Sequence, residues 1–270
     1  MFEYDSAARR PRAIEEWLDL KAHTSMLRAL IVRNVKIRYK RSVFGLLWTL
    51  AQPAAMLIVL TLIFTRAFSP HTPFYPAYLG PGLILWFFFS QTTAVVIAEV
   101  AAGVDLWRRV RMPKTALAVA TTATSLLNLL FTAVPLLLVV AVAGRPLGLS
   151  LLTIPIVIAL MAMFTLGFAL TIAAIALYFP DVADLYQIVL SAWIFVTPVI
   201  YPRAILPPAV DRLVALNPLT LYIDAFRRPF YENATASPAA FAMMFAISTG
   251  MLLFGWYVFS QRADDIPYRG

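Results

Sequence analysis

The chain has no cysteine and only two histidines, His23 and His71, among 270 residues. That leaves no disulfide frame and no ligand set for a zinc, haem or iron–sulfur centre. Charge is also scarce: Asp, Glu, Lys and Arg make up 13% of the residues, against roughly a quarter in soluble domains. With 61% hydrophobic residues and a mean hydropathy of +0.79, this composition excludes an ordinary soluble domain and reads as an all-α, polytopic membrane protein. Missing too is any Gly-x-x-x-x-Gly-Lys-Ser/Thr run, so the chain offers no phosphate-cradling loop of that kind. No Asp, Glu, Lys or Arg falls in the middle of an apolar stretch, where proton-coupled carriers and voltage sensors place theirs. The first thirty residues hold Glu15, Glu16 and Asp19 and no apolar core, which argues against a cleaved signal peptide.

What charge there is sits at the ends of apolar runs. The net charge of +8 therefore reads as membrane orientation and not as nucleic-acid binding. Residues 11–22 predict a short helix with Ile14, Trp17 and Leu18 on one face. From Arg28 the chain passes through a basic amphipathic helix, with Leu27, Leu30, Ile31 and Val35 in a stripe and Arg28, Arg33, Lys36 and Lys40 mostly opposite. We place residues 1–43 in this N-terminal region, 44–259 in a membrane domain and 260–270 in a polar tail. Six transmembrane helices are expected at 44–65, 79–98, 115–143, 149–176, 185–201 and 241–259. Residues 203–236, punctuated by Pro207-Pro208, Asn217-Pro218 and Pro229, predict two short interfacial or re-entrant helices, with Asp224 spaced to pair with Arg227 or Arg228. Of the 22 Lys and Arg residues, ten precede Trp48, four lie in 99–114 and two follow Gln261, which places both termini in the cytoplasm.

Transport without an internal engine requires an external one. The loop holding Trp107, Arg108, Arg109 and Arg111 is either a docking surface for that partner or a positive-inside anchor. Trp86, Phe87, Phe88, Phe89, Tyr186, Trp193 and Phe195 lie away from the interfacial belts, and either pack between helices or line a path suited to sugar rings. Gly80-Pro-Gly82 and Gly167-x-x-x-Thr171 are candidate points of close helix approach. Asn233-Ala-Thr235 matches a glycosylation triplet, a pattern frequent by chance.

Arg38-Tyr-Lys-Arg-Ser-Val-Phe-Gly-Leu-Leu-Trp48 with Gln52-Pro53, the Trp86–Phe89 cluster and Trp107-Arg-Arg-Val-Arg-Met-Pro113 occur here in a telling order. They are followed by Thr197-Pro-Val-Ile-Tyr-Pro202, Ile205-Leu-Pro207 and Leu216-Asn-Pro-Leu219. Over nearly the whole chain this resembles the membrane subunits of ABC-2 type exporters for cell-surface polysaccharides such as O-antigen, teichoic acid and capsule. One position departs: Pro180 precedes Asp181 where the family often has Arg, so no salt bridge from that Arg is carried over.

The resemblance implies a homodimer in the bacterial inner membrane, paired with two copies of a separate ATPase that holds the ATP and magnesium, and no cofactor or catalytic residue in this chain. It makes 99–114 a cytoplasmic coupling helix, with Glu99, Trp107, Arg108, Arg109 and Arg111 toward the ATPase. It makes 205–232 an external gate, to which Tyr201, Asp224, Arg227 and Arg228 belong. Arg38, Tyr39, Lys40 and Arg41 then stand where a pyrophosphate headgroup of a lipid-linked glycan would arrive. Two alternatives stand beside this reading: an ABC-2 permease for drugs or lipids, and a membrane-embedded glycosyl or acyl transferase using Asp181 and Asp184.

Overall fold

The computed structural model describes residues 11–40, 47–68, 72, 74–103, 107, 112–142, 148–179 and 181–262, with the backbone alone at 38–40, 47–50 and 138–142. The side chains of the headgroup candidates Arg38, Tyr39, Lys40 and Arg41 therefore lie outside the described residues, as do the loop residues Arg108, Arg109 and Arg111 and Pro180.

The described residues form ten α-helices and two short 3-10 turns. They are α1 (Arg12–Ala22), α2 (Thr24–Lys40), α3 (Leu47–Phe68), α4 (Tyr75–Ala102), α5 (Ala116–Val142), α6 (Ile154–Ala176), α7 (Asp181–Val196), α8 (Pro208–Leu216), α9 (Pro218–Tyr231) and α10 (Pro238–Arg262). Proline sets many of the starts: α4, α6, α8 and α9 each carry one in their first two positions, where the missing N–H costs nothing. Among the described residues, five segments are long and apolar enough to cross a membrane: Ala51–Phe68, Tyr75–Ala102, Ala116–Leu137, Leu149–Ala176 and Pro238–Arg262.

The expected fifth crossing at 185–201 is not among these segments. Its helix begins at Asp181 and ends at Val196, 16 residues in all. Asp181 and Asp184 occupy the first turn, where carboxylates favour a helix N-terminus, and Pro198 disfavours helical backbone at the residue before it. At 1.5 Å per residue α7 spans about 24 Å, short of a hydrocarbon core of about 30 Å.

Helix α4 is the hub, packing against α3, α5, α6, α7 and α9. The most extensive contact joins α6 and α10. There Gly167 and Gly255 meet backbone to backbone, so a Cβ on either would strike the other helix's main chain. At the opposite extreme, Leu60 alone is buried in Ala51–Phe68. Gln52 of α3 nevertheless finds a polar partner, its Oε1 accepting from Gln91 Nε2 of α4 at 3.2 Å. The two ends of the described chain come together: Arg12 Nη1 donates to the Gln261 carbonyl at 2.9 Å and Trp256 Nε1 to the Ala13 carbonyl at 3.0 Å.

Candidate functional site

At the end of the bundle away from α1, the chain leaves α7 as Thr197-Pro-Val-Ile-Tyr201 and does not continue as helix. Carbonyls freed in this way need donors, and here four in a row receive them from other elements. Arg227 Nη2 donates to Pro198 O (2.9 Å) and Val199 O (3.2 Å), Tyr75 Oη to Ile200 O (2.7 Å) and Tyr78 Oη to Tyr201 O (3.0 Å). Arg227 is 4% exposed; its Nε donates to the Tyr78 carbonyl at 2.8 Å and its guanidinium lies 3.6 Å from the centre of the Tyr78 ring. Gly82, one turn along α4 from Tyr78, provides the room: a Cβ there would sit 2.7 Å from Arg227 Nη2. Thus one buried arginine ties α9 to the start of α4 and to the segment after α7.

An ion-pair chain continues outward from it. Arg227 Nη1 lies 3.5 Å from Asp224 Oδ1, and Arg203 Nη1 lies 3.4 Å from Asp224 Oδ2. Arg203 then grips Asp211 of α8 with two bonds, Nε to Oδ1 at 2.6 Å and Nη2 to Oδ2 at 3.0 Å. That hydrogen-bonded grip holds the Asp211 carboxyl below its ordinary range and raises the Arg203 guanidinium. Arg228, by contrast, is exposed and pairs with Glu232 at 3.7 Å. Tyr201 donates its hydroxyl to the Phe195 carbonyl at 2.9 Å. Of the expected gate residues, Tyr201, Asp224 and Arg227 are thus drawn together and Arg228 stands apart.

Two asparagines pin the ends of α9. Asn217 caps α9 by accepting from Leu219 N–H (3.1 Å), and its amide donates to Thr197 Oγ1 (2.8 Å). Asn233 ends the turn after α9 at φ 52°, the left-handed region that asparagine tolerates, and accepts from Ser150 Oγ at 2.9 Å. Its place in the Asn-x-Thr triplet thus coincides with a structural turn.

In the middle of the bundle the aromatic residues converge. Phe89, fully buried, meets Phe164 (6.0 Å between ring centres), Phe168 (5.4 Å) and Trp193 (5.5 Å, edge to face). Trp86 stands 6.2 Å from Phe89, Tyr186 stands 6.2 Å from Phe168, and the Tyr186 hydroxyl donates to Thr93 Oγ1 at 2.6 Å. Phe88 is buried, Phe87 is half-buried, and Phe195 is 67% exposed. Within one chain Trp86, Phe89, Tyr186 and Trp193 pack between helices, and Phe195 faces outward. Sequence reasoning missed Phe164 and Phe168. They lie four apart on α6, yet that helix is apolar all round, so no periodicity marks them.

At the other end, Glu99 accepts a hydrogen bond from the Thr121 hydroxyl of α5. Trp107, in the loop read as either a docking surface or an anchor, turns inward with its ring 6.4 Å from Phe259 of α10. Just after this loop, Glu16 of α1 accepts from the Thr115 N–H (2.8 Å) and hydroxyl (2.9 Å), bracing α1 against the start of α5. Burial raises the Glu16 carboxyl, and the two Thr115 bonds oppose that rise. The apolar stripe foreseen on α2 is its half-buried face, holding Leu27, Leu30, Ile31 and Val35, while Arg28, Arg33 and Lys36 are exposed.

Long apolar helices packed on a shared hub, with two short helices fastened to an unwound segment at one end, define a multi-pass α-helical membrane protein. Residues 26–231 match the family described as ABC-2 type transporter, and the chain belongs to that family. It is 28% identical over 250 residues to the "O-antigen export system permease protein RfbA" of Myxococcus xanthus, covering 92% of this chain and 96% of that protein. A Klebsiella pneumoniae protein of the same name is 25% identical over 74% of this chain and 78% of its own length. The "Polysialic acid transport protein KpsM" of Escherichia coli is 25% identical over 84% of this chain and 91% of its own.

Proposed function

We propose that the chain is the membrane-spanning permease subunit of an ATP-driven exporter that carries a lipid-linked cell-surface polysaccharide outward. The observation that carries this reading is the end-to-end similarity to an O-antigen export permease, which leaves 4% of that protein uncovered. In this reading residues 1–43 lie at the cytoplasmic face of the bacterial inner membrane, 44–259 form the membrane domain and 260–270 the cytoplasmic tail. The chain crosses six times, with α7 and the unwound segment as the fifth pass. The contact between α1 and the end of α10 supports an even number of crossings.

Two such subunits form the homodimer and two separate ATPases drive it, with ATP and magnesium on those partners. In this reading the thinly packed α3 and the outward-facing Leu185, Ile188, Val189 and Phe195 of α7 are covered by the partner subunit or by lipid. Glu99, Trp107, Arg108, Arg109 and Arg111 belong to the ATPase side, Arg38, Tyr39, Lys40 and Arg41 to the headgroup of the arriving lipid, and α8 and α9 to the external gate. In a host deleted for this chain, surface glycan should vanish while lipid-linked glycan accumulates inside, and re-expression should restore export. Unchanged surface glycan overturns the reading.

A further inference from the structure

Between α2, α4 and α5, at the end of the bundle where the amphipathic helix leads into the first apolar one, lies a partly open cavity of about 280 Å³. That is close to the lower end of small-molecule pockets, about 300–1,000 Å³. Its lining is unlike the rest of this apolar bundle: Arg33, Asn34, Glu99, Thr121, Thr124 and Ser125, with Ile37 and Val95 beside them. Asn34 lies in the half-buried stripe of α2, four residues from Leu30 and three from Ile31, where a purely structural stripe would carry an aliphatic residue.

The two charges in the cavity do not meet. The Glu99 carboxylate is held by the Thr121 hydroxyl, and the Arg33 guanidinium leans on Asn34 Oδ1 at 3.2 and 3.4 Å. Because Asn34 accepts through its oxygen, its amide N–H groups remain as donors on the Arg33 side. The hydroxyls of Thr121 and Thr124 are already donating, to Glu99 and to the Ala120 carbonyl, so they offer lone pairs on the Glu99 side. One end of the cavity thus presents donors with a positive charge and the other presents acceptors with a negative charge.

We propose that this cavity binds the headgroup of a zwitterionic aminophospholipid of the bilayer, phosphatidylethanolamine in chemical class. The phosphate would sit on Arg33 and the Asn34 amide, and the primary ammonium on Glu99 and the Thr124 and Ser125 hydroxyls. Ile37, which is 67% exposed, and Val95 stand where the acyl chains begin. An anionic lipid would bring its charge against Glu99, and a choline headgroup has no N–H to give to the acceptors. The α2 helix reaches this depth because its basic face belongs with headgroups and its apolar stripe with the bundle. This inference does not depend on what the protein exports.

The test is native mass spectrometry of the purified full-length chain in detergent, titrated with phosphatidylethanolamine, phosphatidylcholine and phosphatidylglycerol of identical acyl chains. Phosphatidylethanolamine should occupy one site at about tenfold lower concentration than either of the others, a difference of about 1.4 kcal/mol. Glu99→Gln and Arg33→Gln should each abolish that preference, and Ser125→Ala, a smaller change, should weaken it. Each variant is compared at an unchanged melting temperature. Soluble glycerophosphoethanolamine should compete. Equal binding of the three lipids, a preference for phosphatidylglycerol, failure of the soluble headgroup to compete, or a preference that survives Glu99→Gln overturns the proposal.

Discussion

At the scale of single residues, Arg227 carries the most. Its guanidinium serves three carbonyls, an aromatic face and a carboxylate from a nearly dry position. Lysine has the charge but not the planar fork, so it cannot address these partners together. Arg227→Met should destabilise the protein by about 3–5 kcal/mol, because it strands buried acceptors, and Arg227→Lys should recover only part of that. Gly82→Ala, which puts a methyl group where the guanidinium lies, should cost much less in the Arg227→Met background than in the native chain. Chemical unfolding in detergent, followed by tryptophan fluorescence, checks both; simple additivity of the two substitutions would contradict the contact. The sequence brings Arg227 and Asp224 into one helical turn, but nothing in it links them to Gly82 or to Pro198, since those contacts span long chain separations.

At the scale of elements, the helices are largely legible in the sequence and their mutual faces are not. Apolar length and proline position locate α3, α4, α5, α6 and α10 to within a few residues, and the Asn217-Pro218 pair marks the start of α9. The end of α7 escapes hydropathy because an apolar run continues through Pro198 to Ile200 and does not register the break. The inward packing of Trp107 is not legible in the sequence, because its partner, Phe259, is more than a hundred residues away. Gly167 is legible as a small residue, yet Gly255 opposite it is not, since a bundle's pairing of helices is not written in spacing. Gly255→Leu should force α6 and α10 apart and lower stability by about 1–3 kcal/mol. Gly250→Ala, in the interior of the same helix but with nothing within 4 Å of its Cβ, should not lower stability and, by removing a helix-interior glycine, should raise it by about 0.5–1 kcal/mol. Melting temperatures of the two variants decide the point.

At the scale of the whole molecule, α1 closes the chain on itself by holding the end of α10 through Arg12 and Ala13 and the start of α5 through Glu16. Because the native sequence has no cysteine, single cysteines can report on this arrangement without background. Glu15→Cys and Arg262→Cys should react with an impermeant maleimide from the same side of sealed vesicles, and Thr235→Cys from the other. Labelling of the first two from opposite sides would refute an even number of crossings. The row of carbonyls after α7 bears on how such a molecule is energised. Broken helices in ion-coupled carriers offer freed carbonyls to a cation that enters and leaves. Here the cation is Arg227, tethered to α9 and permanently charged, so this position holds a resident that no gradient can exchange. The segment is thereby linked to α9 by a fixed side chain, so that a shift of one element is passed to the other.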